Sequence, residues 1–167
     1  MDDSSSKPPA FRFGNRFLRQ WTEPDIDAHR MLVAERGGGM PSIEDNRRMI
    51  EDQRAESALT GIALLPVIRR DVGDFIGYCG LTVGRASVDE PEIAYELFQR
   101  VHGQGYATEA ASAALNAAIV TGRKRLWSTA HPWNAPSFRV LDKLGFQRDH
   151  VSTDDRGELV WLTRSLP

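Results

Sequence analysis

The segment Arg100-Val101-His102-Gly103-Gln104-Gly105-Tyr106-Ala107-Thr108-Glu109-Ala110 follows a short apolar stretch, residues 93–98, and runs into an alanine-rich helical pattern. A strand, a glycine turn and a helix start, in that order, make an anion site. Gly103 and Gly105 let the backbone approach a ligand because no Cβ stands in the way. The first amides of the following helix have no internal partners, and the helix dipole favours negative charge there. The spacing therefore predicts a diphosphate held by main-chain N–H groups of residues 103–108, with Gln104, Tyr106, Ala107 and Thr108 in the cradle. A nucleoside-triphosphate loop needs Gly-Lys-Ser/Thr, and no Lys lies in this turn. A dinucleotide fingerprint wants a small residue at Thr108 and an acid about 20 residues on, where Lys124-Arg125-Leu126 stands. A bare turn is the competing structural reading.

Two further groups of residues have chemical content. In the stretch from Trp133 to Phe146, Asn134 reads as a helix cap, Pro136 as a first-turn residue and Gly145 as the stop. Ser137 places a hydroxyl at that helix start, able to meet a ligand or simply to cap. Lys143 near the helix end is either a phosphate contact, as Arg139 could be, or a favourable C-terminal charge. On the strand before the glycine turn, alternation sets Glu92, Ala94 and Glu96 on one face and Ile93, Tyr95 and Leu97 on the other. Glu92 and then Glu96 are the candidates for a general base, against the plainer reading of solvated strand charges. A carboxylate of ordinary pKa is a weak base, so a raised pKa or a water chain is expected of one in that role. His131, at the end of a strand before Pro132, reads as structural, with reach toward a cleft as the alternative, and Cys79 reads as a buried small apolar residue.

The two motifs, in this order, resemble those of the GNAT acetyltransferase superfamily, closest to its RimJ/RimL-like branch. Arg100-x-x-Gly103-x-Gly105 satisfies the pyrophosphate formula Gln/Arg-x-x-Gly-x-Gly/Ala, and a second frame begins at His102. The segment Asn134-x-x-Ser137, followed by Lys143-Leu-Gly-Phe, matches the branch's second signature. The resemblance spans residues 12–164. It implies a mixed α+β fold, with a twisted, mostly antiparallel sheet of about seven strands and helices on both faces. It implies acetyl-CoA as cofactor, with the backbone of Leu97 and Phe98 pairing with the pantetheine amides, Asn134 contacting the pantetheine arm, and Ser137 near the sulfur. Glu92 falls where many members carry a glutamate acting directly or through water; Glu96 stands where the branch often has Trp. The implied reaction is direct acetyl transfer to a primary amine, of a protein N-terminus or a small molecule, in a ternary complex. The alternative is a non-catalytic acyl-CoA-binding sensor or interaction module.

The elements that must position these groups can be read along the chain. Its 167 residues suit one domain, residues 11–167, after a disordered tail over 1–10. A net charge of −2 speaks against nucleic acid, and one cysteine excludes an intrachain disulfide or a thiolate metal site, so no metal is expected. No apolar run is long enough to cross a bilayer, and no leader is read at the N-terminus, so a cytoplasmic monomer or homodimer is the expectation. Strands are expected over 11–21, 59–68, 75–83, 92–98, 126–130, 146–151 and 158–164. Helices are expected after a Thr22 cap, after Ser42 to about residue 58, over 108–121 and over 135–144. The triple glycine 37–39 separates the first two helices.

Overall fold

A computed structural model describes residues 11–13 and 16–167, and the expected tail over 1–10 lies outside the described residues. The strands are β1 (Phe11–Phe13), β2 (Arg16–Leu18), β3 (Leu64–Arg69), β4 (Phe75–Thr82), β5 (Glu92–Leu97), β6 (Arg125–Ala130), β7 (Gln147–Asp154) and β8 (Gly157–Ser165). The helices are α1 (Asp25–Ala34), α2 (Ile43–Thr60), α3 (Tyr106–Val120) and α4 (Ala135–Lys143). One sheet runs β1-β2-β3-β4-β5-β6-β8-β7, eight strands against the expected seven or so. The extra strand arises because residues 11–21 are not one strand: β1 folds back on β2 as an antiparallel pair. Residues 59–63 were expected to open β3, but α2 runs on to Thr60, and Leu59 is 87% exposed on it.

Local signals explain most element ends. Ser42 caps α2 by accepting from the Asp45 N–H at 3.0 Å. Thr22 does not cap α1 as expected: Pro24 holds that position without a side-chain bond. Instead Asp25 reaches back and accepts from the Thr22 N–H at 2.8 Å and its hydroxyl at 3.0 Å. Burial raises the Asp25 carboxyl, but the Arg19 guanidinium at 2.6 Å and the Thr22 donors outweigh it and hold the group below its ordinary value. On α3, Ala111, Ala114 and Ala118 are buried, so the helix lies close on the sheet.

The two faces of β5 carry the site's division. Glu96 meets Arg36 after α1, whereas Tyr95, on the opposite face, donates its hydroxyl to the Ser137 carbonyl at the start of α4, 3.1 Å away. Helices therefore cover both faces. All strand pairs are antiparallel except β5–β6, whose register is the single pair Glu92↔Trp127. The Trp127 N–H still reaches the Pro91 carbonyl at 3.0 Å and the Ser128 hydroxyl the Ile93 carbonyl at 3.2 Å. Past Ile93 the two strands have no paired residues, and the sheet opens into a wedge.

Under α1 and α2, His29 is buried and gives its Nδ1 proton to the Asn46 Oδ1 at 2.5 Å, while the Asn46 Nδ2 donates to the Ile26 carbonyl. Burial pushes the imidazole below its ordinary value, so the folded state holds it neutral. The unfolded chain binds that proton more readily, so stability is retained above about pH 6.5 and lost as pH falls below it. The expected result is a melting temperature that drops between pH 7.5 and 5.5, with a flatter drop in His29→Gln, read by thermal unfolding.

Candidate active site

The glycine turn enters α3 through a short 3-10 turn, Gln99–Val101. Gly103 and Gly105 sit at φ of 78° and 82°, the left-handed region that other residues enter at a cost. A Cβ at either would meet nothing within 4 Å beyond its chain neighbours, so open space flanks the turn. Gly105 occupies the N-cap without a side-chain bond, and the first helical bond runs from the Glu109 N–H to the Gly105 carbonyl at 3.1 Å. The N–H groups of Tyr106, Ala107 and Thr108 thus lie ahead of the helical ladder. Left-handed glycines, open space and amides outside the ladder fit a diphosphate.

The two side chains named with this turn have protein partners. Arg100 bonds the Asp74 carboxylate and the Phe75 carbonyl, both at 3.3 Å, and lies over the Phe98 ring. His102 donates from Nε2 to the Leu97 carbonyl at 2.9 Å. Gln104 is exposed in the turn.

The wedge adjoins this turn. The Phe98 N–H bonds the Ile76 carbonyl in β4 at 2.9 Å. Strand alternation then sends the N–H groups of Tyr95 and Leu97 the other way, toward the wedge. At the far side, the Asn134 Oδ1 accepts from the Ser137 N–H at 3.4 Å, so the cap expected of Asn134 is the geometry seen. Ser137 is half-buried, and Lys143 is exposed in the last turn of α4. Burial pushes the Tyr95 phenol well above its ordinary value, which keeps it a donor to Ser137.

Both carboxylates face the other side of β5, and both are engaged. Glu92 is 5% exposed, a buried group and not a solvated strand charge. Its Oε2 accepts from the Arg85 N–H at 2.7 Å and its Oε1 from the Thr129 hydroxyl at 2.8 Å. Gly84 leaves it room: a Cβ there would stand 2.1 Å from the Glu92 Oε2. Glu96 takes a two-pronged bond from Arg36, whose Nη2 also reaches the Tyr78 hydroxyl at 3.2 Å. The Glu96 bond raises Arg36 further above its ordinary value. Burial pushes Tyr78 up to about 12, so it is a neutral phenol beside this pair. The Cys79 thiol, fully buried and also pushed up to about 12, is no nucleophile.

Arg36, Tyr78, Arg85 and Thr129 escaped the sequence reading. None sits in a motif; each reaches the site across at least one strand or loop. Among the described residues no group of His, Cys, Asp and Glu is arranged to hold a metal ion, and no helix is long and apolar enough to cross a membrane.

Residues 15–147 match the acetyltransferase (GNAT) domain family. The N-acetyltransferase p20 of Bacillus licheniformis is 23% identical over 135 residues, covering 80% of this chain and 73% of that one. An acetyltransferase of Agrobacterium tumefaciens superposes with a TM-score of 0.79 at 23% identity, covering 98% of each chain. RimL, a ribosomal L7/L12 α-N-protein acetyltransferase solved in complex with coenzyme A, superposes with a TM-score of 0.77 at 14% identity, covering 95% of this chain and 97% of that one. These likenesses of structure share the fold, and the family match covers most of the sequence. With its glycine turn, uncapped α3 and open wedge, the chain belongs to the GNAT family of acetyl-CoA-dependent acetyltransferases.

Proposed function

We propose that this acetyltransferase moves the acetyl group directly to a primary amine, with both substrates bound together. The observation that carries the reading is the parting of β5 and β6 just past Glu92, beside the open glycine turn. Acetyl-CoA brings the acetyl group as a thioester. The amides of residues 103–108 hold its diphosphate, and the wedge-facing N–H groups of Tyr95 and Leu97 and the carbonyl of Tyr95 orient the pantetheine arm, as an added strand would. The Leu97 carbonyl is already taken by His102. Asn134 borders the same wedge, and Lys143 offers a charge to the distal phosphate. The Ser137 hydroxyl stands ready to protonate or stabilise the sulfur as it departs. Fixing two reactants in register supplies much of the acceleration without a covalent enzyme intermediate.

The acceptor enters on the face of β5 opposite α4, between the α1–α2 connection and the β7–β8 turn. A protein N-terminus is the first acceptor class, supported by the fold shared with RimL. A small-molecule amine is the second. Glu92 and Glu96 stand as the acceptor-side carboxylates, and Glu96 is already neutralised by Arg36. Glu92 is left to act on the acceptor side, through a water or through the Arg85 loop that it holds.

A panel of acceptors tests this: peptides beginning with Ala, Ser and Met, simple alkylamines, a polyamine and an aminoglycoside. Amine-dependent release of the CoA thiol, with the acetylated amine found by mass spectrometry, is the expected result. Tight CoA binding with thiol release no faster than background hydrolysis for every amine would favour the binding-module alternative.

A further inference from the structure

His131 follows the last residue of β6 and lies on the row Trp127, Thr129, His131, the face that meets Glu92 through Thr129. The register pair Glu92↔Trp127 sets Thr129 and His131 further along the chain that borders the wedge from the β6 side. On the other face, Ser137 lies near Tyr95. The β6 side of the wedge therefore ends in an imidazole on the Glu92 face, and α4 brings the Ser137 backbone to the opposite face of β5.

The imidazole is held on several sides. Its Nε2 bonds both Asp154 oxygens, at 3.0 and 3.2 Å. Trp133 stacks on the ring, with centroids 5.1 Å apart and planes 3° from parallel, and the Arg156 guanidinium lies over the Trp133 ring. The Arg156 N–H bonds the Asp154 Oδ1 at 2.8 Å, and with His131 and Arg85 it holds that carboxyl below its ordinary value. Arg85 lies 3.5 Å from Asp154 through its Nη2, and its own N–H is the Glu92 donor. His131 and Asp154 keep side-chain exposures of 13% and 15%. The charged groups around the ring are thus Asp154, Arg85 and Arg156, with Glu92 behind the Arg85 loop. An ionised carboxylate fixes the ring as the Nε2–H tautomer, and the neutral ring then carries its lone pair on Nδ1.

We infer that His131, oriented by Asp154, is the immediate proton acceptor for the attacking amine, with Glu92 positioning the Arg85 loop behind it. The inference rests on the transferase reading above. The step balances: an N–H bond of the bound ammonium breaks, an Nδ1–H bond forms, and the positive charge passes from amine to imidazole beside Asp154. The neutral amine keeps the electron pair for attack on the thioester carbonyl, and the ring returns its proton to solvent. Imidazole suits the work better than either carboxylate, because its ordinary pKa lies near neutrality.

The test has two arms. In the free full-length chain, ring-nitrogen NMR of His131, assigned by the signal lost in His131→Asn, should show the neutral ring protonated at Nε2. Asp154→Asn should release the ring to a mixture of its two neutral tautomers. A neutral ring protonated at Nδ1, or a tautomer indifferent to Asp154→Asn, overturns the inference. In steady-state kinetics with an Ala-terminated peptide and a simple alkylamine, His131→Asn should lower kcat about 100-fold and leave KM within about threefold. It should also abolish the acid limb of kcat/KM, and added imidazole should restore turnover to His131→Gly. A kcat within threefold of the unaltered chain, in a variant with an unchanged melting curve, overturns it. Should the unaltered chain acetylate neither probe nor any other amine, the transferase reading fails first; turnover indifferent to His131 defeats this inference alone.

Discussion

Replacing Gly103 and Gly105 together with valine will weaken coenzyme A binding by about 100-fold or more, measured by calorimetry. The two glycines stand at left-handed φ, and the space where their Cβ atoms would lie is empty of protein for 4 Å. A Cβ at either position therefore meets no steric wall from the rest of the fold. It meets only the backbone penalty, roughly 1–2 kcal/mol per residue. A fall of about 2–4 kcal/mol in unfolding free energy is the expected cost to the fold. The larger effect is on the ligand, because side chains in the turn would hold a diphosphate off the backbone that leads to the amides of Tyr106, Ala107 and Thr108. Losing one or two charge-assisted hydrogen bonds costs about 3 kcal/mol, which is roughly 100-fold in affinity. Alanine at Gly105 alone should sit between the two. A double-valine chain that binds CoA within threefold of normal would remove the glycine turn from the cofactor site.

Glu92→Ala is expected to lower the unfolding free energy by about 3 kcal/mol, read from urea denaturation. The carboxylate is buried and accepts from the Arg85 N–H and the Thr129 hydroxyl. Alanine leaves both donors without an acceptor in a low-dielectric setting, which is where such losses are largest. Glu92→Gln should cost less, about 1–2 kcal/mol, because one amide oxygen still accepts while the NH2 faces a donor. Thr129→Val removes a single bond and should cost about 1 kcal/mol. Activity should follow, since Arg85 links the Glu92 loop to Asp154 and so to His131. If Glu92→Gln matches the unaltered chain in stability yet loses all turnover and the acid limb of its pH profile, Glu92 is itself the base and the relay through His131 is wrong.

The readable parts of the sequence were those whose geometry is local. Gly103 and Gly105 announced a left-handed turn at a helix start because the turn, the strand before it and the helix after it are contiguous. Asn134, Pro136 and Gly145 framed α4 for the same reason, and Ser42 framed α2. The errors came where tertiary context decided. The chain from 11 to 21 carries enough apolar residues for one strand, yet it reverses between β1 and β2. The polar helix α2 runs through Leu59, an exposed residue whose apolar character suggested a strand.

At the site itself, the sequence determined that a glycine turn opens a helix and that Glu92 and Glu96 share one face of β5, since strand alternation follows from backbone geometry alone. It also determined the cap that sets Ser137 at a helix start. Only the tertiary structure decided what state those groups are in. Arg36 comes to Glu96 from 60 residues away, Thr129 to Glu92 from 37, and Asp154 to His131 from 23. Such partners are chosen by which strands lie side by side. Charge and proton affinity at short range depend on those neighbours, so they are properties of the folded sheet and not of any contiguous stretch of chain.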